Sequence, residues 1–399
     1  MGKWLKRGAY ALGLLVAVAV IAALIWREEL ERLYRVNTLF DEDRIVQNFS
    51  NMRTMFEATD IPRAGPLFEF GSDPRDLPEK FDGPDGPINT EAFLAETKTT
   101  SLLVMRDDAI EFEGYYLGTG AEDQRISWSV AKSFLSALLG IAIGEGKIDS
   151  MDDPVTKYVP ALTGSAYDGV SLREAANMAS GVRFNEDYAD FNSDINRMGR
   201  ELALGGSLDE FAAGLGDRIG PAGQQWVYVS IDTHVLGMAL RAATGKPVAE
   251  YMTEKLWSKI GAEADAYYVT DGFNAAFVLG GLNMRTRDYA RFGRVMLNDG
   301  VVDGVEILPP GWALESTAQS APDAAGGSVN QPYGYGYQWW LPPNADEEVF
   351  GVGVYDQYLW FDRKAGVIIV KTSANRDFRA NRSQHRVETM ALFRALSRP

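Results

Sequence analysis

The sequence predicts a mixed α/β domain in which strands near its two ends join in one antiparallel sheet and helices occupy the stretch between. Two strand-like segments lie near residue 100 and two more near residue 365. Between them run several segments with the three- and four-residue apolar spacing of helices. The composition of the 399-residue chain, 46% hydrophobic and 24% charged, is that of a globular protein long enough for one large domain plus extra segments.

The chain opens with Lys3, Lys6 and Arg7, followed by an uncharged run over 9–26 that Arg27, Glu28 and Glu29 close. A run of about 18 residues is near the minimum for a spanning helix, and basic flanks stay on the cytoplasmic side. The expectation is a cytoplasmic tip (1–8), a transmembrane anchor (9–26) with Trp26 as its interfacial aromatic, and an extracytoplasmic, periplasmic remainder. A cleaved signal peptide is the rival, but its apolar core would normally be shorter, and no convincing cleavage site precedes the charged cluster. Residues 27–100 read as a stalk and lead-in. Pro62, Pro66, Pro74, Pro78, Pro84 and Pro87 favour turns and extended chain there.

The catalytic domain is expected over 101–399. Strands at 102–106 and 109–116 are joined at Asp107-Asp108, a hairpin signal. A helix starts near Ser129, where Val130, Phe134, Ala137, Leu138 and Ile141 make one face apolar, and Gly144 and Gly146 end it. Further helices are read at 172–178, 208–215, 230–244 and 286–297. Strands follow at 358–361 and 367–372, then a last helix at 382–396.

Composition excludes several chemistries. With no cysteine there is no thiol catalysis, disulfide or thiolate metal site. Only His234 and His385 are present, too few for a histidine zinc centre, so no metal and no cofactor is expected and a hydrolase would need a base other than His. A net charge of −16 argues against a nucleic-acid partner.

Ser129-Val130-Ala131-Lys132 is the one S-x-x-K in the chain and it opens an apolar helix. Side chains three apart share a helix face, and the helix start adds free N–H groups that favour developing negative charge. A serine needs a base, and lysine serves only when neutral. From a reference near 10.4 that takes roughly three units of depression, about 4 kcal/mol, which burial can supply. A capping serine followed by a solvated lysine is the bland alternative.

With Ser127-Trp128 before this motif, then Gly146-Lys147-Ile148-Asp149, Asp152-Asp153-Pro154-Val155 and Tyr158-Val159-Pro160, the chain resembles the serine β-lactamase-related superfamily. Within that group it looks most like the 6-aminohexanoate-dimer (nylon-oligomer) hydrolase branch. The resemblance runs from about residue 102 to the C-terminus. It implies a β-lactamase/transpeptidase-like fold: an antiparallel sheet flanked by helices plus an all-helical region.

It also implies site residues. Tyr228-Val229-Ser230 matches the second motif, which makes Tyr228 a proton shuttle to the leaving group and puts Ser230 beside the substrate. The stretch 351–357 is the better match for the third-motif strand. There Gly353 and Val354 line the substrate, and the Val354 N–H joins that of Ser129 as oxyanion hole. Asp356 stands where the branch more often has Gly. Lys371-Thr372-Ser373 is a superficial match on the following strand, so the cation that holds a β-lactam carboxylate is missing. Tyr188, in the loop 180–188, matches a substrate-contacting tyrosine. His234 is read as structural. The expected activity is serine-dependent hydrolysis of a small amide or ester. The alternatives are a penicillin-binding or D-alanyl peptidase-type enzyme and a non-catalytic cell-wall sensor or scaffold.

Overall fold

The computed structural model describes residues 2–25, 27–322, 333–343, 347–380 and 382–398; the side chains of residues 3, 5, 6, 9, 19, 22, 23, 28–30 and 382 also fall outside the description. Its main sheet has eight strands in the order Gly334–Tyr335, Trp340–Leu341, Glu348–Gly353, Gln357–Asp362, Val367–Ser373, Thr99–Arg106, Ala109–Tyr115 and Gly71–Ser72. All neighbours are antiparallel except the last pair. The two ends of the domain meet at this sheet's centre, where Val370 lies opposite Leu103. The expected hairpin is present: Arg106 pairs with Ala109 across Asp107 and Asp108, whose φ values of 45° and 66° give the two left-handed residues of a tight turn.

Strand alternation divides the core in two. Leu103, Met105, Leu359, Phe361, Ile368 and Val370 face the helices Ala131–Gly144 and Thr286–Leu297. Leu102, Val104, Tyr358, Trp360, Val367 and Ile369 face the C-terminal helix Arg382–Ser397 through Phe393. Helix starts follow local chemistry, as where Ser171 and Glu174 form a reciprocal capping box at Leu172–Ala176. Helices Ser230–Thr244 and Thr286–Leu297 have the expected bounds.

Two expectations for the amino terminus need correcting. Residues Gly2–Ile25 are helical, with Leu12, Leu14, Leu15 and Leu24 exposed. Among the described residues, however, no helix is long and apolar enough to cross a membrane. The apolar run is described only in part, because Trp26 and four side chains within it lie outside the description, and the membrane span is not borne out. The stretch read as a stalk and lead-in is not separate from the body. Leu39, Ile45, Phe49, Met52, Met55, Phe56 and Ile61 are buried in the main core, and Ala58–Ile61 pairs with Ala266–Val269 in a second, four-stranded sheet. These buried residues lie ahead of Pro62; the Pro- and Gly-rich part that follows forms only the short strands Gly71–Ser72, Lys80–Gly83 and Gly86–Asn89.

Candidate active site

Ser129 lies in a single tight 3-10 turn, Trp128–Val130, that runs into the buried helix Ala131–Gly144. The expected helix start is therefore one turn of a different kind, and it leaves Ser129 half-buried at the mouth of the helix. Trp128 enters the turn at φ 44°, a region costly for an aromatic residue by about 1–3 kcal/mol. Its ring is wedged against Phe49 at 5.5 Å, Tyr355 at 5.7 Å and Phe40 at 6.1 Å, which over-determines the conformation.

The end of strand Glu348–Gly353 closes on this turn. A Cβ on Gly353 would sit 2.6 Å from the Ser127 carbonyl oxygen and 3.0 Å from the Ser129 nitrogen, so only glycine allows the approach. Val354 follows directly and is half-buried.

Lys132 is 1% exposed, which rules out the solvated-lysine alternative. Its Nζ donates to the Leu279 carbonyl at 3.0 Å and lies 5.6 Å from the centre of the Tyr228 ring. Burial draws the ammonium down to about 7, opposed by the charges of Glu186 and Asp232. Those two acids were not picked out from the sequence. The Glu186 carboxyl accepts the Ser230 N–H at 2.5 Å and is also hydrogen-bonded by the Ser230 and Tyr188 side chains. Burial raises it above the usual carboxylate range. Asp232 is fully buried in the first turn of Ser230–Thr244, accepts from the Tyr167 hydroxyl at 2.7 Å, and is pushed by burial up to about 7. One buried lysine and two buried carboxyls thus act on one another's charge.

Tyr228 is stacked on Trp340, ring centres 5.8 Å apart. Gln338, also missed, ties the site's two helices together. Its carbonyl accepts from Ser133 at 2.8 Å and its side-chain oxygen from Thr233 at 2.7 Å. In a chain with 55 acidic residues, nothing in one dimension separates a buried acid from a solvated one.

The structure brings the expected residues together in groups: Gly353 against the Ser129 nitrogen, Lys132 against the Tyr228 ring, and Ser230 and Tyr188 on Glu186, whose charge acts on Lys132. Lys371 is not among them: it pairs with Tyr358 and points to the C-terminal-helix side of the sheet, whereas Gly353 and its partner Gln357 face Ser129. Asp356 is buried on the Lys371 side and does not fill the cleft. His234 bonds Asp209 at 2.7 Å, a structural contact. Among the described residues no cluster of His, Asp or Glu has the make-up of a metal site.

The sequence profile of the Beta-lactamase family matches residues 92–390. The 6-aminohexanoate-dimer hydrolase of Paenarthrobacter ureafaciens is 35% identical over 296 residues, covering 71% of this chain and 74% of the relative. A Bacillus anthracis structure assigned as a 6-aminohexanoate-dimer hydrolase superposes with a TM-score of 0.77 at 24% identity, over 88% of this chain and 95% of its own. The octameric penicillin-binding protein homologue of Pyrococcus abyssi superposes with a TM-score of 0.60 at 17% identity, over 76% and 75%. The last two similarities concern the fold.

Proposed function

The chain belongs to the beta-lactamase family and is a serine hydrolase, and on that premise we propose that it cleaves small amides through an acyl-enzyme on Ser129. The observation that carries this reading is the enclosed Lys132 one helical turn after Ser129, held near 7 by burial. Around neutral pH its amine is free to take the hydroxyl proton as Ser129 Oγ attacks the substrate carbonyl. The ammonium so formed is buried, and the Glu186 and Asp232 carboxyls supply its counter-charge. The oxyanion is held by the N–H groups of Ser129 and Val354. Collapse of the tetrahedral intermediate breaks the C–N bond, and the leaving amine takes its proton from the Tyr228 hydroxyl, which Lys132 reprotonates. Water then adds to the acyl-ester and restores Ser129.

The amide preference rests on the relative's name, 6-aminohexanoate-dimer hydrolase. A penicillin-type substrate is disfavoured because Lys371 lies on the other face of the sheet from Ser129, leaving that motif without a cation for the drug's carboxylate. An extracytoplasmic location is also a proposal. It rests on the basic residues ahead of the apolar helix, and fractionation of expressing cells tests it.

A fluorophosphonate probe tests the nucleophile. Native protein should be labelled and Ser129→Ala should not; equal labelling of both would remove Ser129 from the mechanism. Turnover of short amide oligomers set against nitrocefin separates the amidase from the β-lactamase reading.

A further inference from the structure

The turn between strands Glu348–Gly353 and Gln357–Asp362 carries an acid in an unusual place. Tyr355 and Asp356 have φ values of 63° and 65°, the left-handed region that glycine enters freely and other residues seldom. Asp356 is also 7% exposed, so this position combines a conformational cost with the cost of burying a carboxylate. A turn alone would be served better by glycine.

The burial has partners. Asp356 Oδ2 accepts from Asn375 Nδ2 at 2.6 Å. On the same side of the sheet is Lys371, with no exposure at all, whose Nζ donates to Ser373 Oγ at 2.6 Å. The Asp356 charge acts on that ammonium and opposes the effect of its burial, which draws it down to about 8. The pair is indirect, each charge bonded to a neutral neighbour. Other titratable groups line this space. His385 Nδ1 is 3.4 Å from Asn375 Nδ2, His385 Nε2 is 3.5 Å from Glu96, and Arg386 bonds the Tyr358 hydroxyl.

The same turn is clamped from two further directions. The Gln357 side chain donates to the carbonyls of Tyr355 at 2.9 Å and Ser373 at 2.8 Å, and accepts from the Ser373 N–H at 3.1 Å. The Tyr355 ring packs on Phe40, Phe49 and Trp128, the last being the residue before Ser129. Val354 sits between this clamp and Gly353, which abuts the Ser129 nitrogen.

We propose that Asp356 and Lys371 are positioning residues for acyl transfer: a buried charge pair beneath the sheet that fixes the turn 354–356, and with it the Val354 N–H, against Ser129. The proposal rests on the reading of Val354 as an oxyanion donor. Removing the lysine leaves the buried Asp356 carboxylate bonded to Asn375 without the opposing ammonium, which favours a rotation of the turn that regains solvation. Neutralising Asp356 as well removes that drive while an amide still fits Asn375.

The test uses the full chain, with rates normalised to active sites titrated by fluorophosphonate. Lys371→Met should lower kcat by about tenfold or more with KM within about twofold, since misplacement of a transition-state donor acts on the chemical step. Adding Asp356→Asn should return kcat to within about threefold of the parent. A parental kcat in Lys371→Met, a loss that persists in the double variant, or a fall in melting temperature with kcat per titrated site unchanged would each overturn the proposal. If Lys371→Met does not fold, Asn375→Leu strips the same carboxylate of its donor and should show the same fall in kcat. Val354→Pro separates the two levels. If it keeps parental kcat, the oxyanion reading itself fails; if it loses kcat while Lys371→Met does not, the charge pair alone is wrong.

Discussion

Lys132 carries the sharpest single-residue consequence. In the proposed mechanism its amine must be neutral to accept the Ser129 proton, and burial draws it down to about 7. The kcat/KM profile should therefore fall about tenfold per pH unit below that value and level off above it. The sign for a neighbour follows. The Glu186 charge favours the ammonium, so Glu186→Gln lowers the lysine further and moves the acidic limb to lower pH. The plateau should also drop, by about 10–100-fold, because the ammonium formed in the attack has lost a counter-charge. A pH–rate profile of the two proteins checks both statements, and an unmoved limb would detach Glu186 from the base. Legibility differs among these residues for a physical reason. Ser129 and Lys132 sit three apart where a 3-10 turn runs into an apolar helix, and Tyr228 precedes a periodic helix, so local spacing points to them. Glu186 and Asp232 matter only because the fold removes their water, and desolvation is not written in spacing.

At the scale of elements, two glycines that look alike in sequence should behave differently. A Cβ on Gly353 meets backbone, the Ser127 carbonyl at 2.6 Å and the Ser129 nitrogen at 3.0 Å, so the strand end must retreat from the nucleophile turn. Gly353→Ala should lower kcat by about 100-fold, the scale of a displaced catalytic group. A Cβ on Gly140 instead runs into the Trp312 ring at 2.3–2.4 Å, three turns down the same helix and away from Ser129. Gly140→Ala should cost about 1–3 kcal/mol or more in unfolding free energy while leaving kcat per titrated site near parental. Calorimetry and active-site titration on both variants separate the two losses. The long periodic helices and the Asp107-Asp108 hairpin could be read because each declares itself within a dozen residues. The strands Gly334–Tyr335, at the sheet's edge, and Trp340–Leu341, next to it, have two residues each and no period to detect. Their register comes from the sheet they join.

The whole molecule is larger than its family match. That match begins at residue 92, yet the turn that carries Ser129 leans on chain that precedes it. Ile126 donates its N–H to the Phe49 carbonyl at 3.0 Å. Arg125, wholly buried and drawn down to about 10 by that burial, gives Nη1 to the Val46 carbonyl at 2.5 Å and to Ser50 Oγ at 2.9 Å. Phe49 itself is fully buried, edge-on to Trp128. Short pieces such as Ile45–Asn48 escaped sequence reading because four residues carry no amphipathic signal, and their order depends on a surface built by residues hundreds of positions away. By contrast, the described contacts of Arg27–Asn37 with the body are mostly polar and near the surface, such as Arg32 with Glu57 at 2.9 Å and Arg35 with the Thr54 carbonyl at 3.3 Å, with half-buried Val36 packed on the main core. A chain started at residue 38 should therefore stay within about 1 kcal/mol of full-length stability, the scale of exposed ion pairs, and keep its kcat. A chain started at residue 92 should not fold, since it loses four strands, Ala58–Ile61 and Gly71–Ser72 among them, and seven buried apolar residues of the main core. Phe49→Ala tests the coupling without truncation. It should cost about 3–5 kcal/mol and also reduce kcat per titrated site, because Trp128 then holds its left-handed conformation against one aromatic fewer. If the variant is destabilised with parental kcat, the amino-terminal segment supports the fold alone and not the geometry at Ser129.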